Sequence, residues 1–303
     1  MTKRCSSVLD RIGNTPLVKL STPQGSATLW GKLESANPGG SVKDRAARGI
    51  VQHAILTGEL PGRRLLDASS GNTGIAYAML GAALGFRVLL CVPKNANDER
   101  KRTLIAYGAQ LVLTDPGEGS DGAIQEAHRM IAADPDAYYY ADQYSNDANW
   151  QAHYRTTGPE IVAQTDRRLT HFVAGLGTSG TCMGPGRYIK EELPEARVIA
   201  FQPDSPFHGL EGMKHMETAI VPKIYDAGVP HEDRACRTED AYVTARRLGR
   251  EEGVLVGISS GASVTVALAV AQEEAAAGRA AVIVCIGPDG GDRYLSDRFW
   301  EEQ

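Results

Sequence analysis

From Arg63 onward the chain alternates between short apolar runs and helical stretches, and this alternation limits the folds open to it. "RRLLDASS" reads as a strand ending in a turn, and "GNTGIAYAMLGAALG" as a buried, Ala-rich helix. "FRVLLCVP" and "AQLVLTD" read as strands on either side of the helix "NDERKRTLIAYG". The helix "SDGAIQEAHRMIAAD" and the short strand "AYYYAD" follow. A second series runs strand "THFVAGLG", helix "TCMGPGRYIKEEL", strand "ARVIAFQPD". It continues through helix "TEDAYVTARRLGREEG", the apolar run "VLVGIS", helix "SGASVTVALAVAQEEAAAG" and strand "AAVIVCIG". Strands that alternate with helices are joined by crossovers, which gives parallel sheets covered on both faces. The two series separate near residues 145–150. The sequence therefore predicts two α/β domains, 1–147 and 148–303, with a cleft between them. The 303 residues, of which 42% are hydrophobic, suffice for two cores.

Three stretches carry chemistry. In "NPGGSVKDR", residues 37–45, a Pro-Gly-Gly turn precedes Lys43 at the start of a helix. A lysine in a first turn is usually solvated, but this turn lets a bulky partner approach the backbone closely. In "SSGNTG", residues 69–74, small residues between a strand and a helix expose backbone N–H groups at a positive helix end. Ser69, Ser70 and Thr73 add hydroxyls, and six such residues exceed what capping requires. In "GLGTSGT", residues 175–181, Gly175, Gly177 and Gly180 match the dinucleotide fingerprint, with Asp204 as a ribose-binding acid. The added hydroxyls of Thr178, Ser179 and Thr181 suit a terminal phosphate monoester better. A presented amine, an anion turn and a phosphate cup fit one ligand, pyridoxal 5′-phosphate (PLP) joined to an amino acid.

Other classes recede. A net charge of −5 with both signs dispersed disfavours nucleic-acid binding. There is no run of 18 apolar residues and no secretory h-region, so a cytoplasmic chain is expected. Cys5, Cys91, Cys182, Cys236 and Cys285 lie far apart without a C-x-x-C pair, so reduced thiols are expected and neither a disulfide framework nor a metal site. His53 and His128 fall in helical patterns rather than at metal-ligand spacing. The Gly31-Lys32 pair lacks Walker A spacing, and no G-x-S-x-G elbow is present.

In that order, "NPGGSVKDR", "SSGNTG", "GTSGT" and "GISSGA" resemble the signature segments of fold-type II PLP enzymes. The nearest resemblance is to the cysteine synthases (O-acetylserine sulfhydrylases), B-type or CysM-like. "IGNTPLVKL" and "GDRYLS" fit the same family, so the similarity runs from Ile12 to Ser296. It implies the tryptophan synthase β-like fold with the cofactor in the interdomain cleft, and part of residues 12–35 crossing into the other domain. It implies that Lys43 forms the Schiff base and that Asn72 bonds the cofactor's 3′-oxygen. Gly177, Thr178, Ser179, Gly180 and Thr181 would hold the phosphate, and Ser259 would face the pyridine nitrogen. Ser69, Ser70, Gly71, Thr73 and Gln143 would hold the substrate carboxylate. The family usually has Thr where this chain has Ser69, which keeps the hydroxyl.

The implied reaction is β-replacement: an O-activated L-serine loses its β-substituent to give an α-aminoacrylate, a sulfur donor adds, and L-cysteine leaves. The neutral Ser259 hydroxyl keeps the ring a weak electron sink, which favours elimination, and Lys43 is placed as general base. The segment "FHGLEGMKHM", residues 207–216, aligns with a stretch that lines the family's cleft. Lys214, with His215, is expected to meet an anionic group on the substrate, as in O-phosphoserine or thiosulfate. The resemblance also implies a homodimer, with serine acetyltransferase or a sulfur-carrier protein as partners. Cystathionine formation and serine/threonine dehydration are the alternative reactions on this scaffold. The absence of a regulatory extension argues against the longer versions of both. A dinucleotide-dependent oxidoreductase leaves Lys43 and "SSGNTG" without a role. The intact Lys43, Asn72 and Ser259 argue against a non-catalytic homologue.

Overall fold

A computed structural model describes residues 5–22 and 27–301. In chain order its strands are β1 (Leu17–Leu20), β2 (Ala27–Leu33), β3 (Arg64–Ala68), β4 (Val88–Pro93), β5 (Gln110–Thr114), β6 (Tyr138–Tyr140), β7 (His171–Gly175), β8 (Arg197–Pro203), β9 (Glu232–Cys236) and β10 (Ala281–Gly287). The helices are α1 (Lys43–Leu56), α2 (Asn72–Leu84), α3 (Asp98–Ala106), α4 (Gly119–Ala133), α5 (Ala148–Arg155), α6 (Thr157–Gln164), α7 (Gly180–Glu192), α8 (Thr238–Glu252) and α9 (Ile258–Ala276). The chain forms two compact units. One comprises Met1–Ile12 with Lys43–Asn149, the other Gly13–Val42 with Trp150–Gln303.

The first unit carries a four-stranded sheet in the order β5-β4-β3-β6, parallel throughout. β4 reads VLLCVP and is buried along nearly its whole length, as a strand covered on both faces must be. α2 is apolar on every side, and nine of its residues are buried. Leu65, Tyr77, Leu80 and Leu90 pack with Ile50 and Val51 of α1 on one side of this sheet. Leu66, Leu89 and Cys91 meet Ala123 and Ala127 of α4 in a separate cluster.

The second unit carries a six-stranded sheet in the order β1-β2-β10-β7-β8-β9. Its pairs are parallel except β1 with β2. The sequence patterns single out neither β1 nor β2, and residues 13–42 join this unit at the sheet edge. β9 is also new: "EDRAC" alternates exposed and partly buried positions on an edge strand and lacks an apolar run. "VLVGIS" contributes an isolated bridge, Val256 with Gly290, followed directly by the start of α9. Core clusters lie on both sides of the sheet, one under α8 and α9 and one under α6 and α7.

Candidate active site

Both units present functional side chains where strands end and helices begin. In the first unit, β3 leads through "SSGNTG" into α2. The Ser69 hydroxyl accepts the Gly74 N–H at 3.1 Å, and a Cβ on Gly74 would collide with the Ser69 carbonyl oxygen. Only glycine lets the turn close on itself this way. Thr73, buried, donates its hydroxyl to Gln143 Oε1 at 2.8 Å. This bond joins the turn to a residue 70 positions later. Gln143 is held in turn: Asn149 Nδ2 donates to its carbonyl at 2.7 Å, and Asn146 Nδ2 to the Ala141 carbonyl at 3.1 Å. Asp142 lies between them in the left-handed region, at φ 40°, which turns the chain so that Gln143 meets Thr73. Lys43, half-buried, is the first residue of α1, which packs along α2.

One group here escapes a reading of the sequence. Asp67, the second-last residue of β3, is 4% exposed. Burial, reinforced by Asp142, raises its pKa to about 7, against the pull of the Ala68 N–H. An Asp before a small-residue turn gives no local sign of burial.

In the second unit, β7 ends in Gly175 and the cup follows. Ser179 caps α7 in the left-handed conformation, φ 68°. Its carbonyl accepts the N–H groups of Cys182 and Met183, which leaves Gly180 and Thr181 at the open positive end of the helix. Thr178 and Ser179 are buried. A Cβ on Gly177 would strike the Gly212 carbonyl oxygen, so the 207–216 segment packs directly on the cup. There the Lys214 N–H donates to the Leu176 carbonyl at 2.9 Å, which sets Lys214 beside the cup. His215 Nδ1 pairs with the Thr218 hydroxyl at 2.9 Å. Burial, followed by the charge of His215, lowers the pKa of His208 in the same segment. Half-buried Ser259 lies in the first turn of α9. Its neighbour Ser260 donates to the Asp289 carbonyl just past β10 at 3.1 Å. β10 runs parallel to β7, so Ser259 and the cup lie at the same end of the sheet, where these strands finish.

A glycine-lined helix N-terminus with buried hydroxyls fits a phosphate monoester, and the Thr73–Gln143 pair beside the N-terminus of α2 fits a carboxylate. Asp204 is exposed beyond β8. Among the described residues no group of His, Cys, Asp and Glu is placed to hold a metal ion, and no helix is long and apolar enough to cross a membrane. Cys91, Cys182, Cys236 and Cys285 are buried free thiols and Cys5 is exposed. His53 and His128 are exposed, and His128 sits edge-on to Tyr140 at 5.3 Å.

Fold and cup together define a PLP-dependent enzyme of the two-sheet type. The family model described as "Pyridoxal-phosphate dependent enzyme" matches residues 8–288. A cysteine synthase of Aquifex aeolicus is 47% identical over 99% of this chain and 94% of its own length. A cysteine synthase B of Pseudomonas aeruginosa is 41% identical over 99% of both. The crystal structure of a cysteine synthase from Entamoeba histolytica superposes with a TM-score of 0.94 at 35% identity, covering 99% of this chain and 92% of that one. The chain belongs to the cysteine synthase family of PLP-dependent enzymes.

Proposed function

We propose that this chain forms L-cysteine by β-replacement on an O-activated L-serine, O-acetylserine or O-phosphoserine, with an external sulfur donor. The observation that carries the reading is the Thr73–Gln143 hydrogen bond at 2.8 Å beside the N-terminus of α2. It supports a preformed receptor for an amino-acid carboxylate in the unit that carries Lys43. PLP, when bound, supplies the electron sink that allows an amino acid to lose its α-proton and its β-substituent. Lys43 would hold the cofactor through its aldehyde carbon. With PLP bound, Lys43 Nζ would be the group that takes the proton from the substrate Cα and later returns it. Asn72 would orient the ring through its 3′-oxygen. Gly177, Thr178, Ser179, Gly180 and Thr181 bind the phosphate. Ser259 would offer the pyridine nitrogen a neutral hydroxyl, which favours elimination over transamination. Ser69, Ser70, Gly71, Thr73 and Gln143 fix the carboxylate. Lys214, with His215, receives an anionic substituent of the substrate or donor. The family resemblance further supports a cytoplasmic homodimer, with serine acetyltransferase or a sulfur-carrier protein as candidate partners.

The test is the visible absorption of the purified protein, before and after O-acetylserine and then O-phosphoserine, and again after sulfide. A cofactor band that shifts with one ester and returns with sulfide establishes cofactor and half-reaction, and names the ester. Lys43→Ala should abolish turnover. Lys214→Ala should lose phosphoserine or thiosulfate activity selectively. A colourless protein that cannot be reconstituted with PLP would overturn the reading.

A further inference from the structure

Beneath the carboxylate loop lies a carboxyl group that the reaction above does not use. Asp67 Oδ1 accepts the N–H of Ala68 at 2.7 Å, so Asp67 is tied to the peptide that leads directly into Ser69. Its Oδ2 is buried without a hydrogen-bond partner of good geometry. The hydroxyl of Tyr77, fully buried on α2, is in the same condition, and the two groups face each other. Tyr77 is one helical turn beyond Thr73 on the same face of α2. Asp67 is thus tied to one end of the loop directly and, through Tyr77, to the helix that begins at its other end.

The titratable groups around it are Tyr77 on α2 and Tyr139 on β6 on its own side of the sheet, Cys91 on β4 and Tyr140 on β6 on the other side, and Asp142 and Tyr144 in the segment that presents Gln143. All are neutral or anionic. Asp142 opposes a negative charge on Asp67, and burial does so more strongly. The carboxyl therefore changes charge near neutral pH, within two residues of Ser69.

We propose that Asp67 is a positioning residue for the loop Ser69–Thr73, which accepts an amino-acid α-carboxylate while Asp67 is protonated and repels it once Asp67 ionises. The inference rests on the assignment of this loop to the substrate carboxylate. Ionisation places a negative charge beneath the bound carboxylate in a poorly screened interior. It also strengthens the pull on the Ala68 N–H and shifts the start of the loop.

The experiment titrates the cofactor-loaded protein with L-serine, read by the visible band, from pH 6 to 8.5. Wild type is compared with Asp67→Asn, which keeps the shape and is neutral throughout. The ratio of the two dissociation constants cancels every titration common to both proteins. It should rise roughly tenfold through one inflection near pH 7, a size typical of one unit charge in a protein interior. With L-serine methyl ester, which has no carboxylate, the ratio should stay flat. A flat ratio with L-serine, or an equal rise with the ester, overturns the inference, since a purely structural role predicts one or the other. Ser70→Ala separates the two levels. If it weakens L-serine binding while the ratio stays flat, the inference alone fails. If it binds L-serine like wild type, the assignment of the loop fails and the inference with it. Should Asp67→Asn not fold, Tyr77→Phe takes its place. Loss of the hydroxyl should move the wild-type inflection to higher pH, and an unmoved inflection overturns the proposal.

Discussion

Ser69 shows how one hydroxyl serves both local structure and a site. Its Oγ closes the turn by accepting the Gly74 N–H, and its own proton remains available for a carboxylate oxygen. Ser69→Ala removes the acceptor at the start of α2, a loss comparable to that of a helix cap, about 1 kcal/mol. It also removes a donor to the substrate. Ser69→Thr keeps both functions. Urea unfolding and L-serine titration should therefore rank wild type with Thr, and Ala below both. An Ala variant as stable as wild type would show that the bond contributes nothing. At this scale the sequence is legible where neighbours are informative. "SSGNTG" has more small polar residues than a cap needs, and they fall where expected. Gln143 has no local signal and is reached only through the family resemblance. Asp67 is missed altogether, because burial of a charged residue depends on β4, β6 and α2 closing around it.

The β7–cup–α7 element depends on a backbone contact more than on any side chain. Because the Gly212 carbonyl occupies the space a Cβ would need at Gly177, Gly177→Ala must displace either the cup or the 207–216 segment. Both are backbone, so neither yields cheaply. The variant should retain PLP about tenfold less tightly or worse, a loss of roughly 1.4 kcal/mol. Gly71→Ala, whose added Cβ meets nothing within 4 Å, should retain it as wild type does. Cofactor release in dialysis, followed by absorption, checks both, and equal retention by the two variants would rule out the contact. Elements with a single strong period were readable from the sequence, as were strands buried on both faces such as β4 and β7. The others lacked that signature. β1 and β2 carry Lys19 and Lys32 inside their runs, β9 is mostly charged, and α5 and α6 are divided at Thr156, whose backbone leaves the helical region.

Over the whole molecule, the segment 13–42 breaks the simple correspondence between sequence halves and structural units. It joins the second unit through Lys32, which is fully buried in β2. Lys32 Nζ donates to Glu160 Oε2 at 2.7 Å, to Gln164 Oε1 at 2.8 Å and to the Thr15 carbonyl at 2.8 Å. Gln164 Nε2 also donates to the Thr15 carbonyl at 3.0 Å. These bonds tie β2 and the stretch that leads into β1 to α6. In the sequence, Gly31-Lys32 invites only comparison with a nucleotide loop, since lysine is almost never fully buried unless paired and its side-chain acceptors lie 128 and 132 residues away. Lys32→Met removes the buried cation to which Glu160, Gln164 and the Thr15 carbonyl are bonded and should cost about 3–5 kcal/mol. Adding Glu160→Gln removes the negative charge that Lys32 balanced and should restore part of that loss. The readout is built into the chain: Trp30, Trp150 and Trp300 all belong to the second unit, so tryptophan fluorescence during urea unfolding reports on that unit. The single variant should lower the fluorescence midpoint clearly, and the double variant should lie between it and wild type. A double variant no more stable than the single would mean that Lys32 stabilises the unit by filling space beside β10, with its charge contributing little.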